Sequence, residues 1–379
     1  MKYLLAGTLL LSLMISCNNE KESTSSKSIM LDKVEVALPL DSIFSGYEIF
    51  NIQDPLFGYV FYVEEVGDKL VVKAENDNFG ILLFDPATAT TKALAKIGNG
   101  PGEFRTPGMP EKSVNGFFLA DRMKKRVIEF SREGDLLQTV DLPFQFDRLI
   151  MKDYPLVYSF LSLGNSPEKG KDHEIIIYDL SSDSTLAKYL PLDNDVAVER
   201  GIAGYYPLHV VNDEVVLFRP LRDTIYTIAR DAISTRYIID SGGRGVPQDF
   251  LNNPEVGLVE FFETMKDSDY FWFYIDYQET ENHVYITYTK NMERCSAFFD
   301  KRTGRTSLSK GFLDNMIFGK EFSYHDFMPV GKGENCMYFA ADPLAILGND
   351  ILIPGMAGHD LINSLAEEDN RLIIKLYFK

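Results

Sequence analysis

Five histidines, His173, His209, His283, His325 and His359, are the first residues to weigh for chemistry, and none forms the HxH, HExxH or HxxxH spacing of a local metal site. Ligands drawn from separate strands around a channel need no such spacing. On that reading His209 in YYPLHVV and His325 in SYHDFMPV, with Asp326 beside it, are candidate ligands for zinc or calcium, each placed on an innermost strand. The ordinary alternative is a histidine hydrogen-bonded within its sheet. Nucleophilic catalysis has less support, because the chain has no GxSxG elbow and Cys295 and Cys336 lack the CxxC spacing of a redox or zinc pair. In an oxidising compartment these two cysteines could pair, but their spacing favours two small buried hydrophobes. The Gly-rich run Gly98, Asn99, Gly100, Pro101, Gly102 invites comparison with a phosphate-binding loop, yet it lacks the Lys-Ser/Thr pair and leads to a strand rather than a helix. Paired glycosidase carboxylates are defined by a distance that a sequence with 56 acids does not reveal, so the acids read as a solubilising surface.

Those residues sit in a chain of 379 with 38 Lys+Arg against 56 Asp+Glu, a formal charge of −18. Hydrophobic and charged fractions of 45% and 25% describe a folded globular protein. A polyanion without a Lys/Arg-rich stripe repels phosphate backbones, which speaks against nucleic acid as a partner.

Met1-Lys2-Tyr3 gives a basic start, and Leu4 to Ile15 is an apolar run too short to cross roughly 30 Å of hydrocarbon as a helix. It ends in Leu13-Met14-Ile15-Ser16-Cys17, which resembles the lipobox of bacterial lipoproteins. That resemblance implies a signal peptide over 1–16, acylation of Cys17 and a membrane as partner, with two or three acyl chains making a durable anchor. Residues 17–33 then read as a flexible polar tether and 34–379 as the folded body. The acids after Cys17, in Asn18-Asn19-Glu20-Lys21-Glu22, are similar to the signal that carries Bacteroidota lipoproteins to the outer face of the outer membrane.

The elements that must position any site are short strands, rich in Val, Ile, Phe and Tyr and broken by Gly, Asp, Asn and Pro. One unit recurs, an apolar strand running through a polar turn into a second strand. Its aromatics, Phe84, Phe130, Tyr178, Tyr226 and Phe299, are 46, 48, 48 and 73 residues apart. Periods in the forties suggest a propeller blade, and the longer interval holds a helical insertion over residues 252–266. Pairing Lys33–Leu38 with Leu372–Phe378 would close a ring of six blades and remove the exposed edges. A second marker repeats: Phe104 and Phe250 each follow a Gly/Pro turn and an acid, 146 residues apart, and Phe is suited to plugging the space between twisted sheets.

Residues 97–142 resemble one NHL-type propeller repeat through Gly100, Phe104, Pro107, Ala120-Asp121, Arg126-Val127, Phe130 and Gly134. With the lipobox, the chain resembles the six-bladed β-propeller lipoproteins of Bacteroidota, which have no generally assigned activity. The resemblance implies that Gly98, Gly100, Pro101, Gly102, Glu103, Phe104, Asp121 and Arg126 build a structural turn between blades. The expected function is a non-catalytic, monomeric, lipid-anchored scaffold binding a glycan, peptide or envelope protein, with no cofactor. The alternative is a lyase or hydrolase with a channel metal. Aromatic runs at Tyr205-Tyr206 and Tyr270–Tyr274 suit stacking on such a ligand, although Trp272 reads better as core.

Overall fold

The computed structural model describes residues 27–32, 37–76, 80–94, 96–100, 103–151, 154–162, 173–192, 207–251, 253, 255–272, 274–348 and 350–379. Cys17, the lipobox, Pro101, Gly102 and Tyr205-Tyr206 lie outside the described residues. Those described are mostly strand, laid out as antiparallel meanders in chain order. Val60–Val66, Lys69–Ala74, Ile81–Asp85 and Thr90–Ala93 make the 60–93 meander. Pro107–Lys112, Gly116–Asp121, Arg126–Ser131 and Leu136–Asp141 make the next. Arg148–Ile150, Leu156–Phe160, His173–Asp179 and Ser184–Pro191 follow. Then come Leu208–Val211, Glu214–Leu217, Thr224–Ile228 and Ile233–Asp240. Phe271–Trp272 and Tyr277–Glu279 both pair with His283–Lys290, which continues through Glu293–Asp300 to Arg305–Ser309. Finally Phe327–Lys332, Cys336–Ala341 and Leu372–Phe378 pair in turn.

All five aromatic anchors fall on the third strand of their meander. A register shift falls immediately before Phe130, Tyr178 and Tyr226, so the bulge repeats with the aromatic. After three anchors an aspartate caps the hairpin turn: Asp85 accepts from Ala87 N, Asp179 from Ser181 N, and Asp300 from the N–H groups of Arg302 and Thr303.

The core lies between successive meanders. Val71, Leu83, Phe104, Phe117 and Phe130 fill the space between the 60–93 and 107–141 meanders. Phe118, Val127, Leu149 and Val157 fill the next, and Ile150, Ile177, Leu208 and Leu217 the one after. The cluster containing Val63, Val72 and Leu82 also contains Val330, Tyr338 and Ile373, so the last meander packs on the first. The first strands lie side by side: Val60–Val66 beside Pro107–Lys112, Arg148–Ile150 beside Leu208–Val211, and Tyr277–Glu279 beside both Leu208–Val211 and Phe327–Lys332. Phe327–Lys332 also pairs in parallel with Val60–Val66 through Gly331↔Val63 and Lys332↔Glu64. This is a propeller-like arrangement.

Several expectations need correction. The strand paired with Leu372–Phe378 is Phe44–Phe50, whereas Leu38–Pro39 runs parallel to Phe312–Leu313 and residues 33–36 lie outside those described. The preference has a packing cause: Phe44 is 1% exposed and meets Phe298, Phe339 and Phe378 edge-on or tilted. The expected tether to residue 33 contains a strand, Lys27–Met30, parallel to Tyr237–Asp240. Ile29 and Leu31 are fully buried there, an alternation too short to stand out beside a Ser-rich stretch. The helical insertion comprises Gln248–Leu251 and Leu258–Lys266, and a second insertion before Leu372 carries Pro343–Gly348 and His359–Ile362. Phe250 does not plug two sheets; it stacks on Phe261 of the insertion. Phe271 takes that place, its N–H bonded to Arg244 O as Phe104 N–H is to Lys96 O. Each also lies next to its turn in a parallel bridge, Gly245↔Phe271 and Ile97↔Phe104.

Candidate functional site

The turn before Phe104 is built for fit. Glu103 accepts from Gly100 N–H at 2.8 Å and pairs with Lys96 at 3.2 Å, and that backbone bond, with the ammonium, holds its carboxyl below the usual range. A Cβ on Gly98 would stand 2.1 Å from the Glu103 carboxylate, so a larger residue there would displace that carboxylate from Gly100 N–H. Buried Asp121 accepts from Arg105 N at 2.9 Å and from Lys124 N at 3.3 Å. Arg126 donates to Glu103 O at 2.6 Å and lies over the Phe104 ring, while Lys124 reaches Gly100 O and Glu103 O. Gly98, Gly100, Glu103, Phe104, Asp121 and Arg126 thus brace one turn against one hairpin, and no ligand is needed to account for them.

The three candidate metal ligands are not brought together. His209 stands on Leu208–Val211, half-buried, its ring 5.2 Å from Tyr277. His325 lies in the exposed turn after Lys320–Ser323, not on an inner strand, and burial with nearby Arg294 lowers its pKa. Asp326 is spent within that turn, accepting from Ser323 N and Oγ. Among the described residues no group of three or more His, Cys, Asp or Glu is placed to hold a metal ion. His283 stacks on Phe378 and His359 bonds to Phe318 O. Cys295 and Cys336 are free and buried, in the clusters on either side of the last two meanders. Trp272 is core, 3% exposed against Phe261 and Phe262 of the insertion.

The inner strands carry a constellation that the sequence reading missed. Glu64, Glu111 and Lys112, Arg148, His209, Gln278 and Glu279, and Lys332 come from the first strand of each meander in turn. Lys332 Nζ reaches past the 277–279 strand to donate to Val210 O at 2.8 Å, and acts electrostatically on Glu64 and Glu111. Glu64 pairs with Lys112 at 3.4 Å and accepts from Tyr62 OH at 3.0 Å. Lys73, on the second strand, donates to Pro107 O at 2.8 Å. Glu111, Arg148, Lys73 and Lys332 keep partial exposure although protein surrounds them, the situation of groups lining a narrow lumen.

Low local dielectric shapes their charge. Burial, reinforced by neighbouring Glu64, pushes the Glu111 carboxyl up to about 8. Burial pushes Lys332 down to about 8 and, with Arg148 adding like-charge repulsion, Lys73 down to about 7. Burial also raises Glu64 against the pull of Lys112. Glu279 behaves oppositely: burial would raise it, but bonds from Arg236, Lys301 and Tyr277 outweigh that and hold it low. Glu279 is thus a structural ion pair beside the lumen. Where the inner strands end, a cleft of about 280 Å³ opens between Glu65, Lys112, Ser113, Gly116, Arg132 and Glu334. Lys112 belongs to both lumen and cleft.

The signal that would have found the lumen is a charged residue inside an otherwise apolar first strand, as in VFYVEEV and FMPVGK. Without knowing which strand is innermost, those charges look like ordinary solvent-facing alternation.

Fold and lumen together define a propeller-like β-protein with a polar, charge-lined centre. Over residues 52–376 the chain matches the family described as Domain of unknown function (DUF4934), and it belongs to that family. Its structure is similar to that of a Bacteroides fragilis NCTC 9343 protein described as exported, at 20% identity over 94% of this chain and 100% of that one, with a TM-score of 0.73. A DUF4221 family member from Bacteroides vulgatus ATCC 8482 is similar at 12% identity over 89% and 97% of the two chains, with a TM-score of 0.51. At these identities the likeness speaks to fold alone. A search of the curated proteins found no match.

Proposed function

We propose that this protein is a binding scaffold: a six-bladed, NHL-like β-propeller, held to the outer membrane of a Bacteroidota cell by acylated Cys17. Its channel and loops take a glycan, peptide or envelope protein. The observation that carries this reading is the convergence of charged side chains from separate inner strands on one lumen whose walls are packed, buried sheet. A site preorganised in this way binds with little ordering cost. Six blades are supported by the six meanders and by the six apolar clusters, one between each neighbouring pair. The pairing of Phe44–Phe50 with Leu372–Phe378 supports closure, because the N-terminal strand completes the last blade. No helix among the described residues is long and apolar enough to cross a membrane, which fits a lipid anchor as the attachment.

A second reading, an enzyme working in the same channel, is favoured by one observation. Lys73 and Glu111 are each pushed close to neutrality, the range in which acid–base groups operate. The test is to screen the full-length protein against glycan and peptide arrays, then recover any retained ligand and weigh it. A ligand retained and returned unchanged supports the scaffold. A ligand returned cleaved, or with a new double bond, overturns it in favour of the enzyme.

A further inference from the structure

At the face where the first strands begin, opposite the ends that hold the cleft, a chain of direct contacts gathers side chains from three meanders. Asp276 precedes Tyr277–Glu279, Tyr324 and His325 precede Phe327–Lys332, and Tyr59 precedes Val60–Val66. Tyr324 OH donates to Asp276 Oδ2 at 2.5 Å; its ring lies under the Arg294 guanidinium at 5.3 Å and meets the His325 ring edge-on. Arg371 covers the Tyr59 ring at 4.6 Å and is held there by Asp342 at 2.7 Å and His325 O at 3.4 Å. Tyr59 OH donates to Met328 S at 2.6 Å, in the apolar cluster that also holds Tyr324. On its other side the Tyr59 ring meets that of Phe61 at 5.3 Å, and Phe61, 40% exposed, presents an aromatic to solvent from a first strand.

Two polar groups in this cluster keep an open edge. Thr287 Oγ1 and Tyr324 OH both donate to Asp276 Oδ2, so among the described residues Oδ1 accepts no hydrogen bond. The half-buried Arg294 guanidinium lies over Tyr324 and donates none among them. Burial raises Asp276, Tyr59 and Tyr324, and Arg294 pulls each back down, so one guanidinium faces all three. An acceptor edge and a donor edge beside an exposed aromatic suit a ligand that both donates and accepts around its rim and is apolar across its face. A pyranose has that form, with hydroxyls that do both and a C–H face that packs on an aromatic ring. A peptide carries similar polar atoms but no rigid ring to match Phe61.

We propose that this face binds a glycan, one sugar unit stacking on Phe61 beside Tyr59, and hydroxyls of that unit or its neighbour donating to Asp276 Oδ1 and accepting from Arg294. The proposal rests on the binding reading above and names both the ligand class and the residues that take it.

The experiment probes the full-length protein with immobilised oligosaccharides ending in neutral hexose, N-acetylhexosamine or hexuronate, printed beside a random-hexapeptide array, and titrates the strongest oligosaccharide in solution. That oligosaccharide is expected to bind saturably, at least about tenfold more weakly in Phe61→Ala and in Arg294→Met, and unchanged in the exposed-site control Arg302→Met. Melting temperatures check that each variant folds, and if Arg294→Met does not, Phe61→Ala decides. Binding of no oligosaccharide, binding of peptides alone, or oligosaccharide binding that survives both substitutions overturns the proposal. The last two outcomes leave the scaffold reading standing. An oligosaccharide that needs Arg294 but is returned cleaved sinks the scaffold and keeps the sugar site.

Discussion

Replacing Phe44 by alanine tests how the Phe44–Phe50 strand is held to the sheet it joins. Phe44 opens the strand that pairs with Leu372–Phe378, and its ring lies 5.0 Å from Phe378, 6.0 Å from Phe339 and 6.1 Å from Phe298. It is 1% exposed, so its removal leaves a cavity walled by aromatics that cannot collapse freely. A buried Phe→Ala change costs about 3–5 kcal/mol, and the aromatic contacts place this one towards the upper end. Unfolding entropy of about 2.1 cal/mol/K per residue gives a body of this length about 0.7 kcal/mol per degree, so the melting temperature should fall by roughly 6 °C. Scanning calorimetry of the full-length protein measures it, with Phe61→Ala, 40% exposed, as a control expected to shift it by less than about 1 °C. A fall of under about 2 °C for Phe44→Ala would refute the reasoning, because the N-terminal strand would then contribute little to the sheet it completes.

Four further outcomes follow from the same geometry. A Cβ at Gly331 would sit 2.1 Å from Val63 O, so Gly331→Ala should push the Phe327–Lys332 and Val60–Val66 strands apart and lower the melting temperature more than an alanine at open Gly348. Asn370, 3% exposed, accepts from Phe57 N and donates to Ile52 O and Pro55 O; Asn370→Ala should cost about 2–4 kcal/mol by denaturant titration. The Glu111 carboxyl is raised from 4.5 to about 8, so its share of stability is complete below pH 4 and lost as pH rises towards 8; Glu111→Gln should flatten that decline and melt higher than wild type at pH 8 but not at pH 4. Burial pushes Cys295 and Cys336 up to about 11, so neither should react with a thiol reagent in the native protein, and the acylation proposed for Cys17 predicts that the unfolded chain titrates two thiols rather than three.

Repetition made the fold legible. Phe84, Phe130, Tyr178, Tyr226 and Phe299 all mark third strands because one packing problem, an aromatic against the preceding sheet, recurs at each meander. The Gly98–Phe104 turn was legible for a similar reason, since its partners Asp121 and Arg126 lie one hairpin away. Phe271 was hidden because the insertion between Gly245 and Phe271 separates it from its turn. Phe44–Phe50 was hidden because its partner strand lies more than 300 residues away, and no local pattern shows that distance. His325 was misplaced for want of a boundary: SYHDFMPV reads as one strand, but the strand begins at Phe327 after a turn capped by Asp326. The lumen charges belong to no motif at all. They become a site only when Glu64, Glu111, Arg148 and Lys332 are brought to one axis by separate sheets.

The central claim, a scaffold that binds and does not catalyse with a metal, is met most directly by elemental analysis of the purified full-length protein beside His209→Ala and His325→Ala. The expected result is zinc and calcium well below one atom per chain in all three. One atom per chain in the wild type, lost in either variant, would contradict it and turn the search to lyase and hydrolase substrates.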